Sequence, residues 1–446
     1  MHLFSRTLIV LALLAATGAC RAGDELIIVS PHWEGVRYEF GRAFAEYYRQ
    51  QTGREIEVRW RDLGGTSSIE KALNASFEAT PDSAQVDLMF GGGVDPFISQ
   101  KAKGHLFAYK LPPDLLAQIP ADIGGFPIVD KDYMFYGAAL SSFGILQNNK
   151  VLKLTGLPAV NTWEDLCQPQ LYSWVSSCDP RKSGAFHMIY EIILQAYGWE
   201  KGWRIIYQMS GNVAAFLDNS SAPTKEVSLG NAAYSPTLDS YGLTQQSFLG
   251  KDNISLTIPK DLSVINPDGI AILKGAPNLK AAELFVNFVM SPQGQSLWMK
   301  PFGSKNGPVK FNIARMGILP SMYDANDETG MIPVNPFKQN YSIPYKPELG
   351  SLRWNIVNDL IGQTIIDVHP QLRSCWRAIL QLPAANREPF IRQFSQPFVS
   401  EEQLSSLASL WRKDRAQART LAEGWMKQAV ARYRSIEQQA RQARQP

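Results

Sequence analysis

Apolar positions recur along this chain with two periods, and the switches between them mark strands and helices. Leu26 to Ser30 is a short apolar run of strand length. Glu34 to Thr52 then sets Val36, Phe40, Phe44, Tyr47 and Tyr48 on one helical face, and Gly53 stops it. Ile56 to Trp60 alternates as a half-buried strand does, and Gly64-Gly65 turns the chain. Ser67-Ser68-Ile69-Glu70 has the spacing of a capping box for the next helix. Val86 to Phe90 is a further strand, ending in Gly91-Gly92-Gly93. Met134 to Asn148 reads as extended chain with glycine breaks, and Thr162 to Leu166 opens a short helix. Ser183-Gly184 precedes a helix with its stripe at Phe186, Ile189, Ile193 and Ala196, and Ala281 to Met290 predicts another. From Leu352 onward the pattern is helical, with Leu404, Leu407, Trp411, Leu421, Trp425, Tyr433 and Ile436 in register; the last ten residues are polar and expected to fray. Repeated strand–loop–helix units predict an α/β sheet with mainly parallel strands.

The N-terminus adds an address. Arg6 is followed by ten apolar residues, Thr7 to Ala16, and then by the small residues Thr17, Gly18 and Ala19. That order reads as a secretory signal peptide over 1–22, and the run falls short of the roughly 20 residues a membrane span needs. Cys20 after Gly18-Ala19 resembles a lipoprotein box, but Thr17 stands where a large aliphatic residue is usual. Both a lipid anchor at Cys20 and a freely soluble periplasmic product fit.

Composition narrows the class. The chain has 446 residues, 45% hydrophobic and 19% charged, which suits two or three globular domains. A net charge of +3 implies no nucleic-acid partner. Nine Lys/Arg against five acids lie between Glu401 and Pro446, so the excess sits on the helical tail, where a solvated face explains it. The histidines are scattered and no CxxC occurs, so neither a metal site nor a cofactor is expected. In an oxidising compartment Cys167 and Cys178, eleven positions apart, are expected to close a loop, with Cys375 a buried thiol. No GxSxG, Walker loop or HExxH is found, which favours binding over catalysis.

The candidate ligand residues stand at the ends of strands. Gly65, Thr66 and Ser67, and Ser183, Gly184 and Ala185, each open a helix, where free N–H groups and the helix dipole favour an anion. Plain capping is the competing reading of the same residues. These donors would converge without a buried lysine or arginine. Gly92 and Gly93 shape a wall, Asn219 and Ser220 form a small polar loop, and His32 offers a ring either to a ligand or to the core.

Several segments together resemble the ferric-ion and related-anion branch of the type II periplasmic binding proteins. SPHWEG (Ser30 to Gly35), DLMFGGG (Asp87 to Gly93), NTWEDL with CDPRKSGAF (Cys178 to Phe186), and above all DGIAILKGAPNLKAAELFVNFVMSPQGQ (Asp268 to Gln295) carry the likeness. It runs from Leu26 to Pro308, and more faintly through ARMGILPSMYD. The resemblance implies a two-lobe α/β fold with the ligand cleft between lobes, and a helical C-terminal extension longer than the family needs. It implies lobe one over 24–133, lobe two over 134–250, a return to lobe one over 251–345, and a helical region over 346–446. It further implies a monomer that captures a small solute for an ABC permease or, alternatively, for a sensor kinase; an exported enzyme on the same fold is the third reading, since fold does not fix function. Iron-carrying relatives bind through two adjacent tyrosines; in GNAAYSPTLDSYG, with Asp239 nearby, Tyr241 matches the second and Ser240 replaces the first. The resemblance therefore points to an organic anion, phosphorylated or carboxylated, instead of ferric iron.

Overall fold

The structure, a computed structural model, describes residues 24–323, 331–332, 334–338 and 343–444. The expected leader and Cys20 lie outside the described residues. Strands and helices alternate at first: β1 (Asp24–Val29), α1 (Glu34–Thr52), β2 (Ile56–Arg61), α2 (Thr66–Ala79), β3 (Leu88–Phe90), α3 (Asp95–Ala102) and α4 (Pro113–Leu116). A small hairpin, β4 (Asp122–Ile123) with β5 (Phe126–Pro127), precedes the long strand β6 (Tyr136–Asn148). Then come α5 (Asn149–Thr155), β7 (Val175–Cys178), α6 (Gly184–Tyr197), α7 (Trp199–Asn212), β8 (Val213–Leu217), α8 (Ala222–Leu229), β9 (Tyr234–Leu238), α9 (Asp239–Leu249) and β10 (Ile254–Thr257). β11 (Ile265–Ile272), α10 (Leu279–Met290) and α11 (Pro292–Met299) follow. The chain ends in α12 (Pro347–Ile361), α13 (His369–Leu380), α14 (Glu388–Phe394), α15 (Leu404–Lys413) and α16 (Arg415–Ala443).

One curled sheet runs β2-β1-β3-β11-β6-β9-β7-β8, with β10 also on β6. The β1–β2, β1–β3, β7–β8 and β7–β9 pairs are parallel, as βαβ connections require. β6 and β11 run antiparallel to their neighbours and belong to both halves. Tyr136 to Ser142 of β6 pairs with β11, while Phe143 to Asn148 pairs with β9 and β10. The chain leaves the first half along β6 and returns along β11. Every residue of both strands is buried, because helices cover both faces.

The helix forecasts are built as the periodicity requires. α1 buries Val36, Phe40, Phe44 and Tyr48, and Gly53 ends it in the left-handed conformation at φ 71°, its N–H donating to the Arg49 carbonyl. The carboxylate of Glu39, fully buried on the same helix, accepts from the amides of Val309, Lys310 and Phe311 at 2.7–2.9 Å. That anchor fixes the loop leading to Arg315.

The C-terminal helices share one apolar core with α6 and α7 and reach α2 and α3 as well. On α12, Arg353 makes a buried ion pair with Glu191 of α6 at 2.8 Å. The neighbouring Trp354 stacks on His187 at 3.6 Å and donates its indole N–H to Ser67 Oγ at 3.3 Å. One helix thus grips both halves of the sheet.

Three expectations are corrected. Ser67 does not cap α2: Gly65 is the N-cap residue without a side-chain bond, and the Ser67 hydroxyl serves Trp354 instead. The tail does not fray before Ala443, because Ala440 buries itself against Ala378 and Leu382. The Cys167–Cys178 bridge is not formed, and both are free thiols, as is Cys375. Cys167 ends a 3-10 turn and faces the Ile205 carbonyl of α7, whereas Cys178 closes the far end of β7. β7 runs about 10 Å from Val175 to Cys178, carrying that thiol away from the strand's start.

Candidate functional site: a cleft floored by the crossing strands

Between the two halves lies a cavity of about 430 Å³. Its rim is made by helix N-termini from opposite sides. Gly65 and Thr66 of α2 face Lys182, Ser183 and Gly184 of α6 so closely that a Cβ on Gly65 would stand 1.8 Å from the Lys182 carbonyl oxygen. A Cβ on Gly184 would stand 2.7 Å from Thr66 Oγ1. The cleft is therefore closed in this structure. At α6 the Ser183 hydroxyl accepts from Phe186 N at 3.2 Å and bonds Ser220 Oγ at 2.6 Å. Behind that cap, Gly184 and Ala185 present the first-turn amides that a helix cannot satisfy internally. At α2, Gly65 has no side chain to cap with, so the Thr66 and Ser67 amides are left in the same state. The cations lining the cleft are Arg37, Lys182, Lys225 and Arg315. Arg37 pairs with Asp62 at 3.1 Å and Lys182 with Asp218 at 2.6 Å.

The floor is organised by Asp268 of β11. Its carboxylate accepts from His32 Nε2 at 2.7 Å, Gly92 N at 2.6 Å and Gly93 N at 3.1 Å, and pairs with Arg315. Burial alone would raise this carboxyl, but Arg315 and His32 overcome it and hold it well below the usual carboxylate range. His32 is pushed down by burial, against the pull of Asp268. Its Nε2–H donates to Asp268 while Nδ1 accepts from Ser30 Oγ at 3.0 Å.

Most forecast residues meet at this cleft. Gly65, Thr66, Gly92, Gly93, Ser183, Gly184, Ala185, Asn219, Ser220, Tyr241 and His32 all line it. Their roles differ from the forecast in places. His32 is a satisfied structural histidine. The Gly92 and Gly93 amides are taken by Asp268, and a Cβ on Gly92 would strike Thr66 Oγ1 at 2.7 Å, so these glycines shape the wall. The Asn219 carboxamide oxygen is consumed by the turn into α8, accepting from Ser221 N at 3.2 Å and Ala222 N at 2.9 Å. Ser67 is buried behind the rim. Asp239 faces away: it accepts from Ser142 N at 2.9 Å, Ser142 Oγ at 3.1 Å and Ser240 N at 2.7 Å, and lines a separate cavity beneath β6. A buried cation, Arg315, does stand in the floor, where it is paired with Asp268.

Sequence reasoning missed Arg315, Asp268, Ser141, Asn266, Asp95 and Trp354. One signal was present: Ser141, Asn266 and Asp268 are polar residues among apolar neighbours in segments that prove to be fully buried strands, and such residues need a reason. Arg315 and Trp354 carried no local mark.

Buried histidines make stability depend on pH. Burial pushes His187 and His369 down to about 4 and lowers His32 too. The unfolded chain, with histidines near 6.5, binds more protons below that pH, so stability falls as pH drops from about 6.5 toward 4. Asp239, pushed up to about 6 by burial, opposes this, as do Asp95 and Asp359, both raised by burial. For His187 the loss between pH 7.5 and 5 is about 2 kcal/mol. Between the two pH values the urea midpoint of wild type should shift downward relative to that of His187→Gln; identical shifts would show that His187 does not titrate.

Comparisons with known proteins agree with this fold. The solved periplasmic binding protein P5PA is 22% identical with a TM-score of 0.62, the match covering 77% of this chain and 99% of that one. AfuA from Actinobacillus pleuropneumoniae, solved with exogenous fructose-6-phosphate bound, is 19% identical with a TM-score of 0.63, covering 77% and 99%. Among curated proteins, the phosphoglycerate transport regulatory protein PgtC of Salmonella typhimurium is 28% identical over 159 residues. That match covers 36% of this chain and 39% of PgtC, so it spans about two fifths of that relative's length. A profile described as bacterial extracellular solute-binding protein matches residues 85–313, just over half of the chain. That stretch runs from β3 to the approach of Arg315 and carries the glycine wall, the α6 rim and Asp268, so the chain belongs to the bacterial extracellular solute-binding proteins.

Proposed function

We propose that this protein captures a small organic anion, phosphorylated or carboxylated, between its two lobes outside the inner membrane and delivers it to an ABC-type permease. The observation that carries this reading is the meeting of two helix N-termini, at Thr66 and Gly184, across one closed cleft. Their unpaired amides and dipoles favour a compact negative group, each such bond contributing about 1.5–3 kcal/mol. A sugar phosphate in AfuA and the word phosphoglycerate in the name of PgtC support a phosphorylated ligand. PgtC is also named a regulatory protein, which favours a second reading, presentation of the bound solute to a sensor kinase. No catalytic step is needed for either role.

Ferric iron fits less well. Tyr241 lines the cleft beside the buried Ser240, and among the described residues no second tyrosine lines it. Calorimetric titration of the purified protein with phosphorylated and carboxylated metabolites should give micromolar binding of at least one. Chelated ferric iron should give no tyrosinate charge-transfer band. A strong band lost in Tyr241→Phe, with no organic anion bound, would overturn the reading. Pull-down of a permease or of a kinase from native membranes separates the two delivery routes.

A further inference from the structure

The cleft floor holds polar atoms with nothing to bond. Ser141 Oγ on β6 and Asn266 Oδ1 on β11 are buried, line the cavity and have no hydrogen-bond partner among the described residues. Ser141 and Asn266 are also direct cross-strand partners, at the point where the two shared strands cross. A buried acceptor left unmade costs about 1–3 kcal/mol, and orphaned polar groups in folded proteins are few and call for a cause. Neither side chain caps a turn or braces a loop, and two orphans side by side on adjacent strands facing one cavity are a built feature. An acceptor oxygen on Asn266 is satisfied only by a donor.

We propose that Ser141 and Asn266 form a second polar subsite, on the crossing strands, that receives a hydrogen-bond-donating group at the far end of the ligand. The ligand is then bifunctional: an anionic group at the helix N-termini of α2 and α6, and a hydroxyl or ammonium at the floor. This rests on the proposed anion-binding function and adds what the rest of the ligand must carry. The subsite has a mechanical consequence. β6 and β11 are the strands through which one half must move relative to the other, so a donor seated on them reports occupancy at the hinge itself. A bare anion reaches only the rim. A hydroxyl binds by hydrogen bonding alone, whereas an ammonium also needs an acceptor such as the unpartnered Oδ1 of the buried Asp95, a carboxyl that burial holds well above its ordinary range, in the same cavity.

The experiment uses the full chain and a graded set of probes: inorganic phosphate, ethyl phosphate, glycerol phosphate and phosphoethanolamine, with propionate, glycerate and β-alanine as carboxylate counterparts. Wild type should bind the hydroxylated or the ammonium-bearing probe at least tenfold more tightly than ethyl phosphate or propionate of the same charge class. Preference for glycerol phosphate or glycerate identifies a hydroxyl, and preference for phosphoethanolamine or β-alanine identifies an ammonium. Asn266→Leu should abolish that preference and leave inorganic phosphate within twofold. Ser141→Ala, a smaller change, should reduce it in the same direction if Asn266→Leu does not fold, with folding checked by thermal melting. Equal affinity of wild type for ethyl phosphate and glycerol phosphate, and likewise for the carboxylates, would overturn the subsite while leaving the anion site standing. A uniform loss across all probes in both variants, with folding intact, would overturn it too, as that marks a structural role. If no probe binds wild type, the anion reading falls and takes the subsite with it.

Discussion

Gly65→Val is expected to lower ligand affinity at least 100-fold while both lobes stay folded. Gly65 sits at φ −75° and ψ 173°, an extended conformation open to any residue, so nothing within its own lobe requires glycine. What requires it is the other lobe. A Cβ would lie 1.8 Å from the carbonyl oxygen of Lys182 and 2.9 Å from its carbonyl carbon. These are backbone atoms held by the turn into α6 and cannot swing aside as a side-chain tip would. The clash exists only when the cleft is closed, so the variant shifts the population toward the open form. If ligand binds the closed form, apparent affinity falls by the fraction that can still close. Small-angle scattering should show a larger radius of gyration that ligand no longer reduces. Gly184→Ala makes a useful contrast: its Cβ meets Thr66 Oγ1 at 2.7 Å, the end of a side chain that can rotate, so its effect should be several-fold smaller. Full affinity in Gly65→Val would place the binding-competent state in an open form and sink the closure mechanism.

The second large effect falls on stability. Asp268→Asn should destabilise the fold by about 3–5 kcal/mol, the range for leaving one partner of a buried ion pair behind. Arg315 is buried, and Asp268 is its one ion-pair partner among the described residues. The Asn oxygen can still accept from the Gly92 and Gly93 amides, but its NH2 would meet the Arg315 guanidinium, which has no acceptor, donor to donor. The urea midpoint should fall accordingly. Asp268→Asn with Arg315→Met should recover part of the loss, because no unpaired charge remains. A double variant weaker than the sum of the two single changes would show that the pair is not coupled in this way.

Legibility in the sequence followed the range of the interactions. α1 was readable because its stripe, first-turn acid and terminal glycine are all local. The α6 rim was readable for the same reason: Ser183 is a helix cap by its own chemistry, and Gly184 follows it. Capping chemistry misled at α2, where Ser67 had the right spacing but its hydroxyl is taken by Trp354, 287 positions away. The cysteine spacing misled as well. Eleven positions suit a closed loop, but a strand runs through them and holds the thiols apart.

By itself, then, the sequence determined the α/β class, the strand ends that carry the glycine and serine segments, and the helical C-terminal region, since each follows from periodicity and local backbone chemistry. Only the tertiary structure decided which of those segments share a cleft. It brought Gly65 to Lys182, buried Arg315 against Asp268, turned Asp239 to the far side of β6, and laid α12 across both halves. These pairings join residues dozens to hundreds of positions apart. They are set by strand order and core packing, which no short window of residues encodes.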